Sequence, residues 1–113
     1  MLIHISDRKL AKHISSEKEM IRAYGPEQAR VLCRRLQQLR AVKCLAELRH
    51  LPQVHAHELS ANRSGQIAIT LKQPYRLILV PANNPIPQRP DGGLDWEAVT
   101  EVRIVEVVNY HND

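Results

Sequence analysis

The spacing of apolar side chains predicts that the first half of the chain is helical. Residues 2–5 form a short apolar opening that is typical of a strand entering a sheet. Two stripes with helical spacing follow, one that is interrupted near Ser15 and Ser16 and a clearer one that begins after Gly25 and Pro26. The first stripe comprises Leu10, Ile14, Met20, Ile21 and Tyr24, and the second comprises Ala29, Leu32, Leu36 and Leu39. We therefore predict two N-terminal helical segments, each with one apolar face.

From residue 54 onward the apolar positions follow the alternation that is typical of strands. The predicted strands cover residues 54–59, 66–71, 75–81 and 102–111, with turn residues between the first three. Connections this short favour antiparallel neighbours. The order strand, helices, then four strands predicts an α+β domain in which two N-terminal helices pack on one face of a mostly antiparallel sheet. The second face of such a sheet remains accessible to a binding partner.

The last predicted strand follows a segment of a different kind. Residues 82–100 contain three prolines and two glycines and lack an apolar period, which predicts a surface excursion held to the body by Trp96 and Leu94. Strict alternation along 102–111 would put Tyr110 on the accessible face of the sheet. The residues aligned with Tyr110 would then be Val102, Ile104, Glu106 and Val108. His111 would turn inward where the strand ends.

Composition adds charge to this outline. With 113 residues the chain is long enough for one domain, taken as residues 1–113, and too short for two. Lys and Arg number 16 against 12 Asp and Glu, a net charge of +4 that permits a nucleic-acid partner without demanding one. No apolar run reaches the length of a membrane span and no signal peptide is recognisable, so we expect a cytoplasmic protein without membrane contact.

The second helical segment carries a concentration of basic residues. Arg30, Arg34, Arg35 and Arg40 fall within one short stretch, and we predict that they form an outward basic face that contacts RNA phosphates. The alternative is a solvated helix face that binds nothing, and charge alone favours this alternative.

Several familiar catalytic motifs are missing from the sequence. It contains neither of the glycine patterns that bind nucleotide phosphates, and no ordered serine triad. His55 and His57 are two residues apart, so on a strand they would share one side and could ligate a metal, but no nearby Cys or Asp supplies further ligands. We therefore expect neither a metal nor another cofactor.

A set of scattered residues is chemically suited to a phosphodiester. Its members are His57, Arg63, Arg76, Tyr110 and His111. A guanidinium donates two parallel hydrogen bonds to a phosphate, a histidine exchanges a proton near neutral pH, and a tyrosine stacks on a base. Together these groups would suit RNA cleavage by attack of a 2′-hydroxyl on the adjacent phosphate, without a metal.

Four segments of the sequence resemble the RelE/ParE superfamily of toxins, and within it the HigB-like "killer protein" branch. They read LRHLPQVHAHEL, NRSGQIAITL, PYRLILVP and VVNYH, and the helical stretch YGPEQARVLCRRLQQLRA is also similar to that branch. The resemblance spans nearly the whole chain through the order and spacing of short motifs. It implies a small α+β fold with a curved antiparallel sheet, and cleavage of messenger RNA on the ribosome.

The resemblance also implies partners and residue roles. The partners would be a cognate antitoxin of the small helix-turn-helix type, messenger RNA and the ribosome, with operator DNA contacted only through the antitoxin complex. Arg63 and Arg76 would hold the scissile phosphate, and Tyr110 would orient the reacting nucleotide or stack on it. His57 or His111 would transfer the protons.

One position departs from the family pattern. Many HigB-like toxins have Asp before the terminal Tyr-His pair, whereas this chain has Asn109, and an amide cannot act as a base. The alternative interpretation is therefore a non-catalytic binding module. It would be a ParE-like topoisomerase inhibitor or an antitoxin-side regulator that has lost RNA cleavage.

Overall fold

Three α-helices form the first half of the chain in a computed structural model that describes residues 1–109. They are α1 (Arg8–His13), α2 (Glu17–Tyr24) and α3 (Pro26–Ala41). The predicted interruption near Ser15 and Ser16 is present, because the Ser16 hydroxyl caps α2 by accepting a hydrogen bond from the Glu19 amide at 3.2 Å. Among residues 1–109, no helix is long and apolar enough to cross a membrane.

The strands form one five-stranded sheet within the described residues. They are β1 (Leu2–Ile5), β2 (His57–Glu58), β3 (Ile67–Thr70), β4 (Tyr75–Pro81) and β5 (Glu101–Asn109). Their order is β1-β5-β4-β3-β2, and only the β1–β5 pairing is parallel. The predicted fold class is confirmed, since the domain is α+β with helices packed on a mostly antiparallel sheet.

The hydrophobic core lies between the helices and one face of this sheet. From α3 it receives Leu32, Leu36 and Leu39, and from the central strands Ile69 and Leu77, all almost fully buried. The three leucines recur at intervals of four and three, so one stripe of α3 faces the strands. Removing each such side chain from water stabilises the fold by about 1.5–3 kcal/mol before entropy is counted.

The strand predicted over residues 54–59 is wrong over most of its length, because β2 contains only two residues. His55 has a φ of +49°, in the left-handed region that strand residues do not adopt. The carbonyl of buried Val54 accepts a hydrogen bond from the Thr70 amide at 2.8 Å. Residues 54–56 therefore form an irregular segment at the end of β3.

The excursion between β4 and β5 is held to the body by Trp96, as predicted. Trp96 lies in a short 3₁₀ helix, Trp96–Ala98, and its side chain is buried. Its indole Nε1 donates a hydrogen bond to the Glu58 carboxylate at 3.0 Å, and the Arg49 guanidinium lies 3.8 Å from the ring centroid. These contacts connect residues 82–100 to β2 and to the 3₁₀ helix Leu45–His50.

A β-bulge in β5 changes which side chains face the helices. Leu79 pairs with Ile104 and Ile78 pairs with Glu106, so Val105 is an extra residue between two regular stretches. The β5 residues that join the helix-side core are Val102, Ile104 and Val107. The predicted alignment of Val102 and Ile104 with Glu106 is therefore wrong, because the extra residue shifts the alternation by one position.

Candidate functional site

The sheet face turned away from the helices, here called the outer face, collects several of the predicted site residues. One row of paired residues crosses four strands and consists of His57, Ala68, Ile78 and Glu106. Ala68 and Ile78 alternate with residues of the core, so this row lies on the outer face. With strands about 4.8 Å apart, the Cα atoms of His57 and Glu106 are separated by roughly 14 Å.

Arg63 lies over the outer face and is joined to the far end of this row. It belongs to the 3₁₀ helix Ala61–Arg63 in the β2–β3 connection, and its Nη1 donates hydrogen bonds to the carboxylate of Glu106 and to the Gln66 side chain, both at 2.8 Å. Strands β3 and β4 lie between these elements, so the arginine spans them. Its side chain is 23% exposed, and these two hydrogen bonds restrict the orientation of the guanidinium.

The imidazole of His57 is oriented by the backbone carbonyl of His55. Its Nδ1 lies 3.0 Å from the carbonyl oxygen of His55, and a carbonyl only accepts, so Nδ1 carries the hydrogen. In the neutral ring Nε2 then carries no hydrogen and can accept a hydrogen bond. His57 is partly buried, with its ring centroid 5.1 Å from that of His55. This arrangement suits a proton-transfer group at the edge of the sheet.

Arg76 occupies the next row of the outer face. It pairs with Thr70 on one side and Val108 on the other, and it alternates with Leu77 of the core. Its Nη1 donates hydrogen bonds to the Gln73 side chain at 3.2 Å and to the Tyr75 carbonyl at 3.0 Å. The guanidinium is therefore directed toward the β3–β4 turn, at the end of the sheet where β5 finishes.

Three of the five predicted catalytic residues thus share the outer face. His57, Arg63 and Arg76 come from separate segments: strand pairing places His57 and Arg76 on this face, and the hydrogen bond to Glu106 holds Arg63 over it. Tyr110 and His111 lie outside the described residues. Glu106 was given no role from the sequence, although it is the one acid in the run VRIVEVV, and its interaction with Arg63 adds it to the site.

The predicted basic face of α3 lies on the other side of the sheet. Arg30, Arg34 and Arg40 are exposed, while the opposite stripe of α3 packs into the core. Any RNA contact of these residues would therefore be made on a different surface from that of the outer face. One helix and one sheet layer separate the two.

The expectation that Arg35 belongs to this exposed face is wrong. Its residue exposure is only 6%, and its Nε donates to the Thr70 carbonyl at 2.6 Å. Its Nη2 donates to the Gln53 carbonyl at 3.0 Å and its Nη1 to the Gln38 side chain at 3.1 Å. Burial, and to a smaller extent the charge of Arg34, lower the pKa of Arg35. Helical spacing could have revealed this position, because residue 35 follows Leu32 by three and precedes Leu39 by four.

The two histidines considered as metal ligands do not share a strand. His57 belongs to β2, whereas His55 precedes it in the irregular segment. Across residues 1–109 there is no group of three or more His, Cys, Asp or Glu side chains placed to hold a metal ion.

Comparisons with protein-family models, with curated proteins and with solved structures found no match for this chain. The resemblance to RelE/ParE toxins therefore stays a prediction from the motifs of the sequence. The chemistry of the outer face is the structural basis for inferring a function.

Proposed function

We propose that the chain is the toxin of a type II toxin–antitoxin module, a ribosome-dependent messenger RNA endonuclease of the bacterial cytoplasm. The observation that carries this proposal is the placement of His57, Arg63 and Arg76 on one sheet face from three separate segments. A cognate antitoxin would neutralise the toxin and would bring it to operator DNA only within their complex.

The two arginines supply the electrostatic part of the proposed reaction. Arg63 and Arg76 bind the scissile phosphate, and charge that develops on its equatorial oxygens is stabilised by their N–H groups. Glu106 acts as a positioning residue, because its carboxylate accepts a hydrogen bond from Arg63 and thereby fixes the guanidinium over β3 and β4. No metal ion is needed for this role of the arginines.

Proton transfer completes the proposed reaction. The 2′-oxygen forms a bond to phosphorus as its proton passes to a base, and the bond from phosphorus to the 5′-oxygen breaks as that oxygen receives a proton from an acid. His57, through Nε2, serves in one of these transfers. The resemblance offers His111 for the other and Tyr110 for orienting the nucleotide. The products are a 2′,3′-cyclic phosphate and a 5′-hydroxyl.

Inducible expression in bacteria tests this proposal. The wild-type chain is expected to arrest growth and to produce new RNA ends with 5′-hydroxyl groups, whereas His57→Ala is expected to abolish both effects. His50→Ala is a matched control, because His50 is an exposed histidine at the end of the 3₁₀ helix Leu45–His50. Normal growth with intact transcripts would contradict the proposal, and DNA damage without RNA cleavage would favour the topoisomerase-inhibitor alternative.

The exposed arginines of α3 are proposed to contact ribosomal RNA. Charge reversal of Arg30 and Arg34 to Glu should weaken co-sedimentation with ribosomes. It should also reduce the slope of log K against log salt concentration by about one for each phosphate contact that is lost. The same change should leave binding of a short unstructured RNA intact, since the outer face is on the other side of the sheet. Lys18→Glu, an exposed change on α2, is the control. Unchanged co-sedimentation of the double variant would show that Arg30 and Arg34 are solvated and do not bind ribosomal RNA.

A further inference from the structure

A cleft lined by two tyrosines lies at the end of the sheet, on the helix side. Its inner part encloses about 180 Å³ and is lined by Ala23, Tyr24, Gln28 and Tyr75. A wider groove of about 420 Å³ shares the last three of these residues and continues past Pro26 to Lys72. We infer that this tyrosine cleft binds a single nucleobase of the RNA next to the scissile phosphate.

The walls of the tyrosine cleft are held in place by specific contacts. Buried Gln28 accepts a hydrogen bond from the Lys72 amide at 2.8 Å and donates one to the Lys72 carbonyl at 3.2 Å. This pair of bonds fixes the start of α3 against the β3–β4 turn. The ring of His13 meets that of Tyr24 edge to face, with centroids 5.8 Å apart. The cleft is thus built before a ligand arrives, which lowers the entropy that binding would cost.

The aromatic lining favours a planar base as the occupant. Within residues 1–109 the Tyr and Trp side chains are Tyr24, Tyr75 and Trp96, and Trp96 is buried in the core. Both tyrosines line the same cavity, and Tyr75 remains 37% exposed. Single-stranded RNA is recognised mainly by unstacked bases that stack on aromatic rings. At the rim of the groove, the amino group of Lys72 is paired with the carboxylate of Glu27, so the aromatic rings and not a charge select the occupant.

Strand geometry connects the tyrosine cleft to the candidate site. Tyr75 and Arg76 are consecutive in β4, so Tyr75 faces the helices while Arg76 faces outward. They pair with Asn109 and Val108, where β4 begins and β5 ends. An RNA strand passing around this end of the sheet can place a phosphate at Arg76 and a neighbouring base in the cleft. This inference rests on the proposed function, since it takes RNA as the ligand.

Binding of a short RNA with 2′-O-methyl groups, which cannot be cleaved, tests the inference directly. Tyr75→Ala should weaken binding roughly 10- to 100-fold, as expected when one base loses its stacking partner, while Tyr75→Phe should retain most of the affinity. Titration followed by NMR should also move the ring resonances of Tyr24 and Tyr75. The control is Ile86→Ala, which removes an exposed apolar side chain from the excursion.

The outcomes distinguish a failure of the tyrosine-cleft inference from a failure of the proposed function. Equal affinity of wild type and Tyr75→Ala would overturn the cleft as a base site, and so would an absence of measurable binding by wild type. If wild type and Tyr75→Ala cut cellular RNA at the same positions with the same efficiency, the cleft proposal fails and the nuclease proposal survives. If wild type binds the RNA through Tyr75 and never cleaves transcripts, the cleft survives and the nuclease proposal fails.

Discussion

Replacing Arg63 by Ala is expected to lower the rate of RNA cleavage about 10²–10³-fold, the effect typical of losing one preoriented donor at a developing negative charge. Arg63 is suited to such a role because Glu106 and Gln66 both fix its Nη1 at 2.8 Å. A donor that is already oriented needs no reorganisation when charge develops on the phosphate. The measurement is the single-turnover cleavage rate on programmed ribosomes, with circular dichroism to show that the variant is folded.

Two controls sharpen the prediction for Arg63. Arg63→Lys keeps a positive charge and loses the planar fork, so it should recover part of the rate and remain below wild type. Arg89→Ala removes an exposed arginine of the excursion and should cleave at the wild-type rate. If Arg63→Ala cleaves as fast as Arg89→Ala, Arg63 does not stabilise the transition state.

Glu106→Gln distinguishes a positioning residue from a base. The amide oxygen of Gln can still accept the hydrogen bond from Arg63, and the substitution removes a negative charge that opposes the phosphate. We therefore expect a lower KM and a kcat within about tenfold of wild type. A loss of kcat of about 10²–10⁴-fold would instead identify Glu106 as the general base.

The parts of the fold that depend on local spacing could be predicted from the sequence. The leucine stripe predicted for the second helical segment lies in the core, and so do the alternating apolar residues of the strand predicted over 66–71, which are Ile67, Ile69 and Leu71. The bulge at Val105 could not be predicted, because an extra residue on one strand is defined by pairing with another. The short length of β2 likewise depends on the left-handed conformation of His55 and on contacts with the end of β3.

The candidate site could likewise be predicted only in part from the sequence. Residue chemistry and the resemblance selected His57, Arg63 and Arg76, which share the outer face. The interaction of Arg63 with Glu106 joins residues 43 positions apart across two intervening strands, and no local pattern indicates it. Arg35 was assigned by charge alone, although it lies on the buried stripe of α3 with Leu32 and Leu39. A charged residue of a helix can be buried when the protein interior supplies hydrogen-bond partners for it, so charge alone does not predict exposure.

Arg35→Ala is expected to destabilise the fold by about 2–4 kcal/mol, because its guanidinium joins three parts of the chain. It donates hydrogen bonds to the carbonyls of Thr70 and Gln53. These bonds connect α3 to the end of β3 and to the segment before β2. Hydrogen bonds from a charged donor contribute about 1.5–3 kcal/mol each, but the three share one side chain and do not add in full. Truncation also leaves two backbone carbonyls without their donor.

The neighbouring arginine provides the matched control for this stability prediction. Arg34 is exposed on the same helix, so Arg34→Ala should change the free energy of unfolding by less than about 0.5 kcal/mol. In thermal unfolding, Arg35→Ala should lower Tm by roughly 10 °C relative to Arg34→Ala. Arg35→Lys should fall between them, because a single ammonium cannot reproduce the geometry of the guanidinium fork. Equal Tm values for the two alanine variants would show that Arg35 contributes no more to the fold than a solvated side chain.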